Sequence, residues 1–269
     1  ALTGDERLTL HPGLLCLAFC TATAQAQNWA KERLNKSPRH SEWIDLKHGD
    51  RTVKAFVVYP EVNEKAPAVL VIHEIFGLTD WAKNLADELA AAGYIAIAPD
   101  LLTAPGKDTQ SYPGQDAAVK AVSALQAPQI FADLDAAAEY VSKLPACNGA
   151  LAVTGFCWGG GQSFAYANHN PKLKAAYVFY GPGPATSAEA KGIQCPVYGF
   201  YGEEDARISA TIPQTKEIMK SLGKSYQPEI YAGAGHGFMR TGEAPNAEPA
   251  NRKAHDDAWA RWKSLLKTL

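Results

Sequence analysis

The chain lacks a strong charge of either sign: 26 lysines and arginines stand against 28 aspartates and glutamates, for a formal net charge of -2 and a pI near 6.4. Binding to nucleic acid or to anionic lipid needs a basic face, so neither is expected. Metal-ligand spacings are missing as well, since no His-x-His, His-Glu-x-x-His or Cys-x-x-Cys occurs. No metal and no cofactor is therefore expected. The triple glycine Gly159-Gly160-Gly161 is not followed by Gly-Lys-Ser/Thr and does not fit the dinucleotide spacing, which removes the nucleotide-binding reading. There are no internal repeats or low-complexity tracts. With 269 residues, 46% of them hydrophobic, the chain can bury one sizeable core.

What is present begins with Gly155-Phe156-Cys157-Trp158-Gly159-Gly160, which follows the apolar run Ala150 to Thr154 and opens a small-residue helix. Glycines at Gly155 and Gly159 allow a sharp strand-to-helix turn that lifts the Cys157 side chain toward a substrate. This is a nucleophile elbow with cysteine in the serine position. Free cysteine is often only a small buried hydrophobe, so the reading needs partners.

Such an elbow is followed in the chain by an acid and then a histidine, each at a strand end. The strand-like run Val197 to Gly202 ends in Glu203-Glu204-Asp205, and Glu229 to Gly233 leads into Gly235-His236-Gly237-Phe238. Asp205 and His236 are the matching partners. A thiol is a weak nucleophile until an imidazole takes its proton, and a carboxylate must hold that imidazole's tautomer. His73 and Asp100 also close strand-like runs, but both precede the nucleophile; packing is expected for His73, and capping or pairing for Asp100.

Strands and helices alternate in the manner that builds a mostly parallel central sheet with helices on both faces, an α/β class. Trp43 to Leu46 and Val53 to Tyr59 read as an N-terminal hairpin, and Ala68 to His73 as a strand buried on both faces. Thr79 or Asp80 caps a helix with Trp81, Leu85 and Leu89 on one stripe, closed by Gly93. A second helix gathers Ile130, Leu134, Ala138, Val141 and Leu144, a third lies between Pro213 and Gly223, and the last runs from Pro249 to Leu266. Residues 101–128, with Pro105, Gly106, Pro113 and Gly114, are expected to form a flap over the carboxyl edge of the sheet that governs substrate choice.

Four segments, Val71 to Gly77, Gly155 to Gly160, Tyr201 to Asp205 and Gly235 to Phe238, resemble the dienelactone hydrolase family in the same order, over roughly residues 41–269. The resemblance implies an α/β-hydrolase fold, a carboxylic ester or lactone hydrolase, and a Cys157-His236-Asp205 triad working through a thioester. It also implies that Glu74 lies near the resting thiol and takes part in forming the thiolate when substrate enters. A carboxylate beside a thiol disfavours the thiolate by like-charge repulsion, and a helix N-terminus favours it. At the family's arginine position stands Arg240, suited to hold a substrate carboxylate. A second arginine expected shortly after Asp100-Leu101 is missing, so another ester or lactone competes with dienelactone as substrate.

By position, the oxyanion hole falls to the backbone amides of Trp158 and Ile75, and Phe76, Trp158, Tyr180 and Phe238 are placed as an aromatic wall around the acyl group. A non-catalytic small-molecule binder and a thiol redox protein are the competing classes; the absence of a nearby resolving cysteine argues against the latter. A small-molecule substrate and a monomer are expected.

The first forty residues differ from the rest. An apolar core, Leu14 to Cys20, precedes small residues at Ala24 and Ala26, which reads as an export signal over 1–26 cleaved near Ala26, with 27–40 an N-terminal extension and 41–269 one domain. The expected location is thus periplasmic or secreted; an uncleaved amphipathic segment in a cytoplasmic protein is the alternative, because Asp5 and Glu6 accompany Arg7. Export would leave Cys147, Cys157 and Cys195, of which Cys147 and Cys195 would be free to pair unless a strand at Lys174 to Tyr180 separates them. No other stretch approaches membrane-spanning length.

Overall fold

The computed structural model describes residues 28–269, so the export signal and its cleavage point lie outside the described residues. Eight strands form one sheet: β1 (Ser41–His48), β2 (Arg51–Val58), β3 (Ala66–Ile72), β4 (Ile95–Pro99), β5 (Cys147–Phe156), β6 (Ala175–Phe179), β7 (Val197–Gly202) and β8 (Tyr226–Tyr231). Their order is β1-β2-β4-β3-β5-β6-β7-β8. The β1/β2 hairpin and the β2/β4 pair are antiparallel, and every other neighbouring pair is parallel. The expected hairpin is longer than its apolar core because pairing continues to His48↔Arg51 around Gly49 and Asp50.

Alternation along the strands sorts side chains into two cores. Val69 and Val71 face one layer, while Leu70 and Ile72 face the other. The first layer is closed by residues 28–35, helical and here α1, with α2 (Asp80–Ala91), α8 (Phe238–Thr241) and α9 (Pro249–Leu266); the second by α4 (Ala127–Ser142), α5 (Trp158–His169) and α7 (Ile212–Ser221). Both faces of β3 are covered, with Ala68 through Ile72 fully buried; each such Val, Leu or Ile contributes roughly 1.5–3 kcal/mol. Helix α2 starts as the sequence indicates, with the Thr79 side chain accepting from the Ala82 N–H. No helix among the described residues is long and apolar enough to cross a membrane.

The described part of the N-terminal extension is tied to the domain: Trp29 and Ala30 are buried in the first core, Arg33 reaches Glu243 at 2.7 Å, and Arg39 grips Asp87 at 3.0 and 2.7 Å. These partners lie far along the chain, so no local pattern announces them. The 101–128 flap contains a helix, α3 (Gln115–Ser123), whose Ala118 and Val122 pack with Leu102 against Ile75 and Trp158. Its apolar face is only small residues, too weak a periodicity to be read beforehand. Cys147 and Cys195 are free and buried. They sit at β5 and just before β7 with β6 between, so two strand spacings, roughly 9–10 Å, exceed disulfide reach.

Candidate active site

Parallel strands deliver their loops to one edge of the sheet, and the segments after β3, β5, β6, β7 and β8 carry Glu74, Cys157, Tyr180, Asp205 and His236 in turn. Cys157 has φ 58° and ψ -121°, a strained conformation for a non-glycine residue, and is the N-cap of α5. The elbow's glycines are required by contact. A Cβ on Gly155 would fall 1.8 Å from the Gly159 carbonyl oxygen, and one on Gly159 would fall 2.3 Å from that of His73. Helix α5 therefore lies directly on the ends of β3 and β5. The Cys157 N–H donates to the Phe179 carbonyl at 3.0 Å, tying the elbow to β6.

His236 and Asp205, 31 residues apart, meet through an Nδ1···Oδ2 contact of 2.5 Å. Backbone bonds bring them together: the Glu203 N–H donates to the Tyr231 carbonyl, and the Glu204 N–H to the Ala234 carbonyl at 2.9 Å. Asp205 is buried, whereas about a third of the His236 side chain is exposed. Burial lowers the imidazole pKa, but its interaction with Cys157 and the hydrogen bond to Asp205 outweigh that and raise it to about 9. The thiol of Cys157 and the carboxylate of Asp205 therefore both favour the charged form of this ring.

Glu74 is buried and pairs with Arg240 at Nε–Oε2 3.0 Å. The guanidinium also lies 5.4 Å over the Phe76 ring, and the neighbouring Glu74 holds Arg240 more firmly protonated. His73 is buried with both nitrogens engaged: Nδ1 is 2.7 Å from the Glu74 carbonyl, and Nε2 accepts from the Leu101 N–H at 3.3 Å. Burial lowers its pKa, consistent with a neutral ring donating from Nδ1. It stacks on Trp158 at 5.8 Å. Asp100 accepts from the N–H groups of Leu102 and Thr109 and from the Thr109 hydroxyl, which fixes the base of the flap.

The backbone amides of Trp158 and Ile75 lie on the segments that follow β5 and β3. Trp158 is the first residue of α5, where a helix leaves its N–H without an intrahelical acceptor, and Ile75 lies in the turn closed by Gly77 N–H to Glu74 O at 3.1 Å. The aromatic wall divides. Phe76 and Trp158 are partly exposed, whereas Tyr180 and Phe238 are fully buried, packed edge to face 5.2 Å apart. The last two underlie the site rather than line it. They continue into the stack Phe156, Phe179 and Phe200, at 4.7 and 4.2 Å, which props the elbow from beneath.

Sequence reasoning missed Glu243. This buried carboxylate receives Arg33 at 2.7 Å, the Trp81 indole N–H at 3.1 Å and the Asn84 amide at 3.4 Å, anchoring the segment just beyond Arg240. Its partners lie 159 to 210 residues away, so no spacing rule points to it. Arg207, two residues after Asp205, is exposed on α6 (Ala206–Ser209). Among the described residues no group of three or more His, Cys, Asp or Glu is placed to hold a metal.

The eight-stranded sheet with a strained nucleophile-type elbow defines an α/β hydrolase, and comparison with known proteins narrows the class. The chain belongs to the dienelactone hydrolase family, whose pattern matches residues 53–269. It is 34% identical over 230 residues to a "Putative carboxymethylenebutenolidase" of Methylorubrum extorquens, covering 81% of this chain and 77% of that one. A protein of the same name from Saccharolobus solfataricus is 32% identical over 251 residues, covering 81% and 94%. The crystal structure of a "Putative Dienelactone Hydrolase" from Klebsiella pneumoniae superposes with TM-score 0.74 at 27% identity, over 86% of this chain and 99% of that one.

Proposed function

We propose that the protein hydrolyses carboxylic esters or lactones with Cys157 as nucleophile, His236 as general base and acid, and Asp205 as the group that orients the imidazole. The observation that carries this reading is the 2.5 Å contact of His236 with buried Asp205 at the same sheet edge as Cys157, which sits on a strained elbow. The thiolate attacks the carbonyl carbon, and the N–H groups of Ile75 and Trp158 receive the oxyanion. Collapse expels the alkoxide, which takes its proton from the imidazolium, and leaves a thioester on Cys157. His236 then removes a proton from water, whose oxygen attacks the thioester; the acid departs and the thiol is restored. A lactone opens by the same steps without losing a fragment.

The relatives' names point to a butenolide, an unsaturated lactone, and Arg240 supplies a cation for a substrate carboxylate. The segment after Asp100 holds no arginine before α3, which favours a substrate with one anionic group. Export with cleavage near Ala26 belongs to the same reading and is checked by N-terminal sequencing of the protein recovered from its native cells.

The deciding experiment compares wild type, Cys157→Ala and Cys157→Ser on short acyl esters and unsaturated lactones, with mass spectrometry for an acylated Cys157. Turnover is expected to vanish in the alanine variant, and an acyl adduct to appear on the wild-type peptide. Full activity in Cys157→Ala refutes the assignment.

A further inference from the structure

Among the described residues, two that are not glycine have positive φ, and they end adjacent strands: Cys157 at 58° after β5 and Tyr180 at 39° after β6. The elbow accounts for the first. The second is unexplained by local preference, because a bulky aromatic residue in the left-handed region carries strain that a glycine would not, and Gly181 stands immediately beside it. What the strained backbone secures is the position of the side chain. The ring meets His236 edge to face at 5.1 Å and 65°. Its hydroxyl is buried and has no hydrogen-bond partner. The charges acting on it come from Glu74, Arg240 and Cys157, and the Met239 backbone N–H is directed at the phenol oxygen, which leaves the hydroxyl's own proton unused. His236, which the ring touches, and its partner Asp205 are the other titratable groups at the site.

Packing against His236 would be served as well by phenylalanine, and a buried hydroxyl whose donor is unused is costly. That cost is intelligible if the donor is used in a state other than the resting one. Resting Glu74 is held by Arg240; during the reaction negative charge also develops on the sulfur. Burial pushes the phenol well above its ordinary pKa, so at neutral pH it is a donor rather than an anion.

We infer that Tyr180 is a positioning residue of this site: its ring braces His236, and its unspent hydroxyl is the donor held for negative charge on Glu74 and Cys157. This rests on Cys157 being the nucleophile. Losing the donor should make the anionic thiol harder to form while leaving the apolar packing in place.

The test follows carboxamidomethylation of Cys157 by iodoacetamide across pH, read by mass spectrometry of the Cys157 peptide, in wild type and Tyr180→Phe. The midpoint is expected to rise by about half a pH unit, with alkylation near neutral pH slowed about threefold, and kcat on neutral esters to fall while KM holds. Should Tyr180→Phe fail to fold, 3-fluorotyrosine at position 180, a stronger donor of nearly equal size, is expected to move the midpoint downward. Superimposable profiles in folded Tyr180→Phe, or an upward shift with fluorotyrosine, overturn the inference. Esterase activity surviving in Cys157→Ala instead overturns the nucleophile reading, and the alkylation midpoint still judges Tyr180 separately.

Discussion

Removing one partner of the Glu74–Arg240 pair should cost far more than removing both. The pair meets at 3.0 Å, with the Glu74 side chain 2% and the Arg240 side chain 14% exposed. At that distance the gross attraction is roughly 5.5 kcal/mol for an effective dielectric of about 20, much of it offset by the cost of drying both charges. In Arg240→Leu the carboxylate stays where water cannot reach it, and unfolding free energy should drop by about 3–5 kcal/mol. Glu74→Gln should cost less, about 2–3 kcal/mol, because the guanidinium keeps some solvent and the Phe76 face. The double variant removes both charges, so its loss should fall short of the summed single losses by about 1.5 kcal/mol or more. Urea unfolding at neutral pH, followed by tryptophan fluorescence, measures all four corners of the cycle. Additivity within about 0.5 kcal/mol would show that the two side chains do not depend on each other, and the argument from burial would fail.

The imidazole of His236, with its pKa raised to about 9 by Cys157 and Asp205 against the lowering effect of burial, gives stability a pH dependence. A raised pKa contributes stability that is fully present below the unfolded value near 6.5 and is lost as pH rises through the folded value of about 9. Urea midpoints of wild type should decline across that window more than those of His236→Gln; parallel curves would contradict this. Gly159→Ala places a methyl 2.3 and 2.5 Å from the backbone oxygens of His73 and Ile72, so α5 must shift; turnover should fall by about 100-fold or more with helical circular dichroism retained, and an active variant would remove the close-packing argument. Trp29→Ala should cost about 3 kcal/mol, lowering Tm by roughly 6–12 °C. An unchanged Tm would mean that α1 contributes nothing to the core it covers.

Much of this molecule is legible without coordinates where the controlling interactions are local. Helix α2 begins at its Thr79 cap, and α9 spans Pro249–Leu266 as its proline and its Trp259, Trp262 and Leu266 stripe indicate. The elbow is announced by glycines whose necessity is steric. Helix α3 escaped because Ala118 and Val122 alone make a faint apolar stripe. Phe238 and Tyr180 were placed around a substrate because aromatic residues next to site motifs suit either a wall or a core, and only burial separates the two.

The sequence by itself determined the alternation of strand and helix, the sharp turn at Cys157 and the order in which thiol, acid and imidazole leave their strands, since each depends on residues a few positions apart. Tertiary structure decided which of those side chains meet. The contacts of Glu74 with Arg240, of Arg33 with Glu243 and of Tyr180 with His236 span 166, 210 and 56 residues. No local propensity encodes such distances; they arise when parallel strands bring their carboxyl ends to one edge and exclude water between them.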